Sequence, residues 1–134
     1  MRIIALLITA LIGATTLARA ADDVAAGQAV IQSQEEALSR DDGAAAYTFA
    51  SPSIQSWYRT PETFMFMVRN GYAPVYRHRS FEFGDARTLD GKIVQDVHII
   101  DADGVPWEAR YTLEPQPDGS LKISSCILVK AATS

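Results

Sequence analysis

Two hydrophobic periods divide the chain. Up to about Gly71 the apolar residues recur with a helical spacing, and after Pro74 they alternate. From Asp22 to about Arg40, Val24, Ile31 and Leu38 fall seven apart, with Val30 and Ala37 beside them. Gln28, Gln32, Glu35 and Glu36 lie around the rest of the turn, so the spacing predicts an amphipathic helix with one buried stripe. Asp41 or Asp42 is placed to cap a second helix over Gly43–Ala50, with Tyr47 and Ala50 turned inward. Ser51-Pro52 and Thr60-Pro61 repeat one start signal, a capping hydroxyl followed by proline at the first helical position, where its missing N–H costs nothing. The helix after Pro61 sets Phe64, Met67 and Val68 on one side and stops at Gly71.

Beyond Pro74 four runs of strand type are predicted, about 75–85, 92–101, 105–114 and 120–130. They are separated by Asp90-Gly91, Asp103-Gly104 and Asp118-Gly119. Asp-Gly between alternating runs is a hairpin signal, because glycine takes the positive φ that a tight turn requires. Three such turns in series predict a four-stranded antiparallel meander. Phe81, Phe83, Ile93, Val97, Ile99, Val105, Trp107, Tyr111, Leu113, Leu121, Ile123, Ile127 and Val129 share odd parity and are expected to face the helices. The even positions, His78, Ser80, Glu82, Asp96, His98, Glu108, Arg110, Thr112, Lys122 and Ser124, form a polar face toward water or a partner. The fold class is therefore α+β, with about three N-terminal helices on one face of the meander. Cys126 and Leu128 break the parity of the last strand, which a one-residue bulge would produce.

The first twenty residues fit neither half. Arg2 precedes an apolar run from Ile3 through Ile12, and Ala18-Arg19-Ala20 is a small-x-small cleavage site before Asp22 and Asp23. This is the pattern of a secretory signal peptide over 1–20, followed by one domain over 21–134. The run is short for a membrane anchor, which takes roughly 20 apolar residues. Its bacterial style implies export to the periplasm, with no membrane association after cleavage. The net charge of −4 becomes more negative once Arg2 and Arg19 leave with the signal. An acidic domain with no basic run is a poor partner for nucleic acid or anionic lipid. The lone cysteine, Cys126, cannot form a disulfide within the chain. It also leaves too few ligands for zinc–cysteine or iron–sulfur clusters.

Several segments together resemble a bacterial family of exported domains of unknown function, DUF4864. They are Arg40-Asp41-Asp42-Gly43-Ala44-Ala45-Ala46-Tyr47-Thr48-Phe49-Ala50-Ser51-Pro52-Ser53-Ile54-Gln55, Phe64 to Val68, Gly71-Tyr72-Ala73-Pro74-Val75-Tyr76-Arg77, Gln95-Asp96-Val97, the hairpin around Asp103-Gly104, and Ile123-Ser124-Ser125-Cys126. The likeness covers essentially all of 21–134. The chain departs from the family pattern at His78, where proline is common, at Leu121, where tryptophan is usual, and at Ser125, where glycine often precedes the cysteine. The first departure weakens a catalytic role for His78. The resemblance implies a cone layout similar to the NTF2-like folds, which host ligand-binding modules, isomerases, dehydratases and dimerisation domains. It implies no specific reaction.

Candidate chemistry is sparse. Arg77 and Arg79 lie on the otherwise apolar parity with Gln95. Together they could form an anion or ligand pocket at the rim, or the arginines could pair with Asp85 or a helix acid. Asp96 and His98, two apart on one strand, could act as an acid–base pair, or could be a solvated sheet face. His78, Glu82 and His98 could in principle meet as metal ligands, but no His pair has metal-type spacing, so no metal and no cofactor is expected. Asp41 and Asp42 read as caps. Asp101-Ala102-Asp103-Gly104 reads as a turn, since a calcium loop's later glutamate is missing. Cys126 reads as a buried small hydrophobe, having no basic neighbour to lower its pKa. The aromatics of the helical half, Tyr47, Phe49, Trp57, Tyr58, Phe64, Phe66, Tyr72 and Tyr76, could line a pocket or form the core. The expected function is thus an exported ligand-binding or accessory domain whose partner is a small molecule or a second copy. An isomerase- or dehydratase-type enzyme and a purely dimerising domain are the alternatives.

Overall fold

The structure, a computed structural model, describes residues 2–132, and side chains from residue 18 onward. The apolar run of the expected signal lies outside the described side chains. Five helices precede four strands: α1 Arg2–Ser39, α2 Gly43–Thr48, α3 Pro52–Trp57, α4 Pro61–Gly71, α5 Ala73–Tyr76, β1 His78–Leu89, β2 Lys92–Asp101, β3 Pro106–Pro115 and β4 Leu121–Lys130. The sheet is an antiparallel meander in the order β1-β2-β3-β4. Among the described residues no helix is long and apolar enough to cross a membrane.

The short helices start where their caps predict. Ala45 N donates to Asp42 Oδ1 at 3.0 Å, Ile54 N to Ser51 Oγ at 3.4 Å and Thr63 N to Thr60 Oγ1 at 3.1 Å. Each bond satisfies an amide that the helix leaves without a partner. The expected strand start at residue 75 is displaced. Pro74 opens the single turn α5, and β1 begins at His78 and runs on to Leu89. Proline at a helix's first positions costs nothing, and Tyr72, the C-cap of α4, is also the N-cap of α5.

The turn at Asp90-Gly91 has φ of 51° and 78°, the two positive values that a primed hairpin turn needs. At the next turn the Asp101 carboxylate accepts from Asp103 N, Val105 N and Trp107 Nε1 at 2.8–2.9 Å. Those bonds, the one from Val105 above all, hold its pKa below the ordinary value, so the loop consumes the carboxylate that a cation would need.

Odd residues of β2 and β3 fill the core as expected: Ile93, Val97, Ile99, Tyr111 and Leu113 are buried under Ile31, Leu38, Phe64, Met65 and Val68. Each such side chain contributes about 2 kcal/mol of burial. α1 lies close to the sheet at Gly27, where an added Cβ would sit 3.4 Å from Ile93.

Two bulges correct the parity elsewhere. In β4 the register passes from Leu113↔Ile123 to Thr112↔Ser125, so Ser124 is unmatched and the strand beyond it turns over. Ile127 and Val129, expected inside, are 58% and 53% exposed, whereas Cys126 and Leu128 pack on the core. In β1 the register shifts between Phe83 and Ala86. Arg87 therefore faces out, and Ala86 pairs with Gln95. A further irregularity between His78 and Ser80 lets His78, expected on the polar face, turn to the helices.

Candidate functional site

The bulge in β4 opens a space between sheet and helices. The cavity has a volume of about 290 Å³. Ile54 and Tyr58 of α3, Phe64, Met67 and Val68 of α4, and Leu38 at the end of α1 form its helical wall. The sheet contributes Tyr111, Ile123 and the segment Ser124–Cys126. The order of elements explains the gap. β4 is tied to the loop before α3, since Ser51 N donates to Ile123 O and Ile123 N to Phe49 O, both at 2.8 Å. One residue later the bulge diverts the strand. Tyr72, following α4, then reaches across to donate its hydroxyl to Cys126 O at 2.9 Å. The cavity lies between these two ties.

Its floor is polar but neutral. Tyr111 is buried beside Cys126, and burial pushes its pKa well above the ordinary value. Burial pushes the Cys126 thiol up to about 12, so at neutral pH it is a thiol and not a nucleophilic thiolate. Tyr72 is raised for the same reason. Gln34 on α1, 6% exposed, donates from Nε2 to Ala46 O at 3.2 Å. Near Tyr111, His78 Nε2 meets Glu35 Oε1 at 2.8 Å, and His78 Nδ1 lies 3.0 Å from Pro74 O. The contact joins α1 to the turn between α5 and β1.

The proposed ligand residues Arg77, Arg79 and Gln95 and the pair Asp96 and His98 do not line this cavity. Arg77 stacks on the Tyr76 ring, 3.8 Å from its centroid, and donates to Asp41 Oδ2 at 3.0 Å and to Leu38 O at 3.1 Å. Tyr76 donates to the same Asp41 carboxylate, and these bonds, Tyr76's first, lower its pKa. Asp41 thus holds a positive φ of 56° as an anchor for Arg77 while Asp42 caps α2. Arg79 is exposed and lies against Gly104. Gln95 is fully buried among backbone carbonyls of β1 and β2.

Asp96 and His98 share the outer face, but each is paired to β3. Arg110 Nε donates to Asp96 Oδ1 at 2.8 Å, which lowers the Asp96 pKa, and His98 Nδ1 meets Glu108 Oε1 at 2.6 Å, which raises that of His98. Both are cross-strand neighbours in the register and open to solvent. Among the described residues no cluster of His, Cys, Asp and Glu is placed to hold a metal ion.

The His98 ring lies over Gly84, where an added Cβ would come within 2.5 Å of Nε2. Gly84→Ala is therefore expected to push the ring off Glu108, and the His98 pKa should fall back toward its ordinary value in an NMR titration. The sign for stability follows. A raised folded pKa gives stabilisation that is present below the unfolded pKa and lost as pH rises through the folded value. That pH dependence should flatten in the variant, and an unchanged titration would show that Glu108 does not hold the ring.

Gln34 and the contact between Glu35 and His78 are the polar features that sequence reading does not show. Gln34 and Glu35 occupy an ordinary amphipathic pattern, and only the parity break at Cys126 marked this region as unusual. Of the helical aromatics, Tyr58, Phe64 and Tyr72 line the cavity and Tyr47 packs on Phe64, whereas Trp57 and Phe66 are 81% and 68% exposed. Comparison with curated proteins and with solved structures returns no match. The sequence profile of a domain of unknown function, DUF4864, matches residues 20–134, and the chain belongs to that family.

Proposed function

We propose that this is an exported domain, residues 21–134 after loss of a signal peptide, that binds a small apolar molecule between its helices and its sheet. The observation that carries the reading is the cavity of about 290 Å³ with aromatic and branched aliphatic walls. An apolar cavity of roughly 150 Å³ already suffices to bind benzene. Export to the periplasm is supported by Arg2, the apolar run and Ala18-Arg19-Ala20. Cleavage there is compatible with folding, because the described core residues of α1 begin at Val24. A helical layer over a meander, with a hollow between them, also suits the NTF2-like layout that the sequence suggested. Binding is favoured over isomerase or dehydratase chemistry because the titratable groups in the floor, Tyr72, Tyr111 and Cys126, all have raised pKa values and are neutral at pH 7.

A second reading, a homodimer through the outer face of the sheet, draws on Ile127 and Val129, large apolar side chains at the β4 edge that stand more than half exposed. Native mass spectrometry of protein isolated gently from its own host separates the two. A mass above that of the bare polypeptide, lost when the protein is denatured, is the expected result. A bare dimer that Ile127→Asp dissociates would move the assignment to the interface, and a bare monomer would count against both.

A further inference from the structure

The cavity's lining specifies more than apolar character. No Asp, Glu, Lys, Arg or His among the described residues lines it. A charged ligand entering it would lose its hydration and meet no counter-charge, a large cost. Glu35 and His78, bonded to each other, lie outside the lining. The Glu35 charge contributes to the raised Tyr111 pKa, so an anion in the cavity would be opposed from that side.

The hydrogen-bonding groups of the wall are unequal. The Tyr72 hydroxyl donates to Cys126 O, and Ser124 Oγ donates to Thr112 O. Those donors are spent. Gln34 is different. Its Nε2 faces the Ala46 carbonyl, which fixes the orientation of the amide, and its Oε1 meets no donor among the described residues. No side-chain polar atom sealed from solvent lacks a partner among the described residues, so this oxygen is open to the cavity that Gln34 lines. On a residue only 6% exposed, an acceptor without a protein donor takes one from a ligand or a water.

We infer that the cavity selects uncharged apolar alcohols, aliphatic or phenolic, whose hydroxyl donates to Gln34 Oε1 while the hydrocarbon body lies against Phe64, Met67 and Val68. The inference rests on the proposed binding role and narrows it to a ligand class.

Four probes of one chain length test it on the unaltered domain: octanol, octyl methyl ether, octanoate and octylammonium. Binding is followed by NMR through the methyl groups of Ile54, Val68 and Ile123. Octanol is expected to bind, and the other three at least about tenfold more weakly, since each lacks the donor or carries a charge that the wall cannot pair. Octanoate or octylammonium binding as tightly as octanol would overturn neutrality while leaving the binding role intact. The ether binding as tightly would overturn the hydrogen bond to Gln34. If none of the four shifts these methyls, the binding role itself fails. As an independent check, Gln34→Leu should bring the affinity for octanol down to that for the ether, and octanol keeping its full advantage would place the hydroxyl elsewhere.

Discussion

Replacing Gln95 by leucine should cost the domain about 3 kcal/mol or more, among the largest losses any single substitution here would cause. Gln95 is fully buried in the middle of β2, opposite the β1 bulge. Its Nε2 donates to Asp96 O at 2.8 Å, to Gly84 O at 3.1 Å and more distantly to Asp85 O at 3.4 Å, sharing two N–H groups among three carbonyls. Its Oε1 accepts from Gln28 Nε2 at 3.0 Å, linking the sheet to α1. Skipping a residue in β1 deprives Gly84 and Asp85 of their ladder partners, and one amide side chain supplies the missing donors. Leucine has similar bulk and none of these bonds, so the part-buried carbonyls of Gly84 and Asp96 would lose a donor at about 1–3 kcal/mol each. Urea unfolding is expected to show a lower midpoint at unchanged slope. Gln28→Leu, which takes the donor from the buried Gln95 Oε1, should cost about 1–3 kcal/mol, less than Gln95→Leu. A loss below about 1 kcal/mol for Gln95→Leu would mean that water reaches the bulge.

That role also shows where sequence reading stops. A polar residue on an apolar parity suggests a pocket, because parity says which face a side chain occupies but not what meets it there. Gln95 was grouped with Arg77 and Arg79 on that basis, yet it serves the backbone, and both arginines lie outside the core. The local signals read well. Asp90-Gly91, Ser51-Pro52 and Thr60-Pro61 act through their own φ values and nearest amides, and each lies where the chain predicts it. The meander follows from three such turns in series. The bulges were legible only in part. Cys126 and Leu128 announced a parity break in β4, but nothing local marked Ser124 as the unmatched residue, and the break at Gly84–Asp85 left no apolar trace. The cavity is a consequence of the β4 bulge together with the ties to Ser51 and Tyr72, which lie more than fifty residues away in sequence. Contacts at that separation leave no periodic signature.

Filling the cavity separates a binding site from a packing gap. Val68, on the inner side of α4 and 5% exposed, lines the hollow, so phenylalanine at this position can extend into it. If the hollow is a ligand site, Val68→Phe should weaken binding of an apolar ligand by about 100-fold or more, equivalent to about 2.7 kcal/mol. It should also remove the extra mass from the protein isolated from its host. The ligand-free variant should melt no lower than the parent, because the added ring occupies empty space and gains contacts instead of displacing neighbours. In a filled core the same enlargement would cost about 1–3 kcal/mol. Melting and binding therefore test different links of the argument. A lower melting temperature would show that the wall is closed around Val68 and that no such space exists. Retained binding with unchanged melting would place the ligand elsewhere, and the outer face around Ile127 and Val129 would become the surface to mutate. Loss of binding with stability intact would tie the β4 bulge to function, since the turnover at Ser124 is what sets Cys126 opposite Tyr111 in the wall of the space.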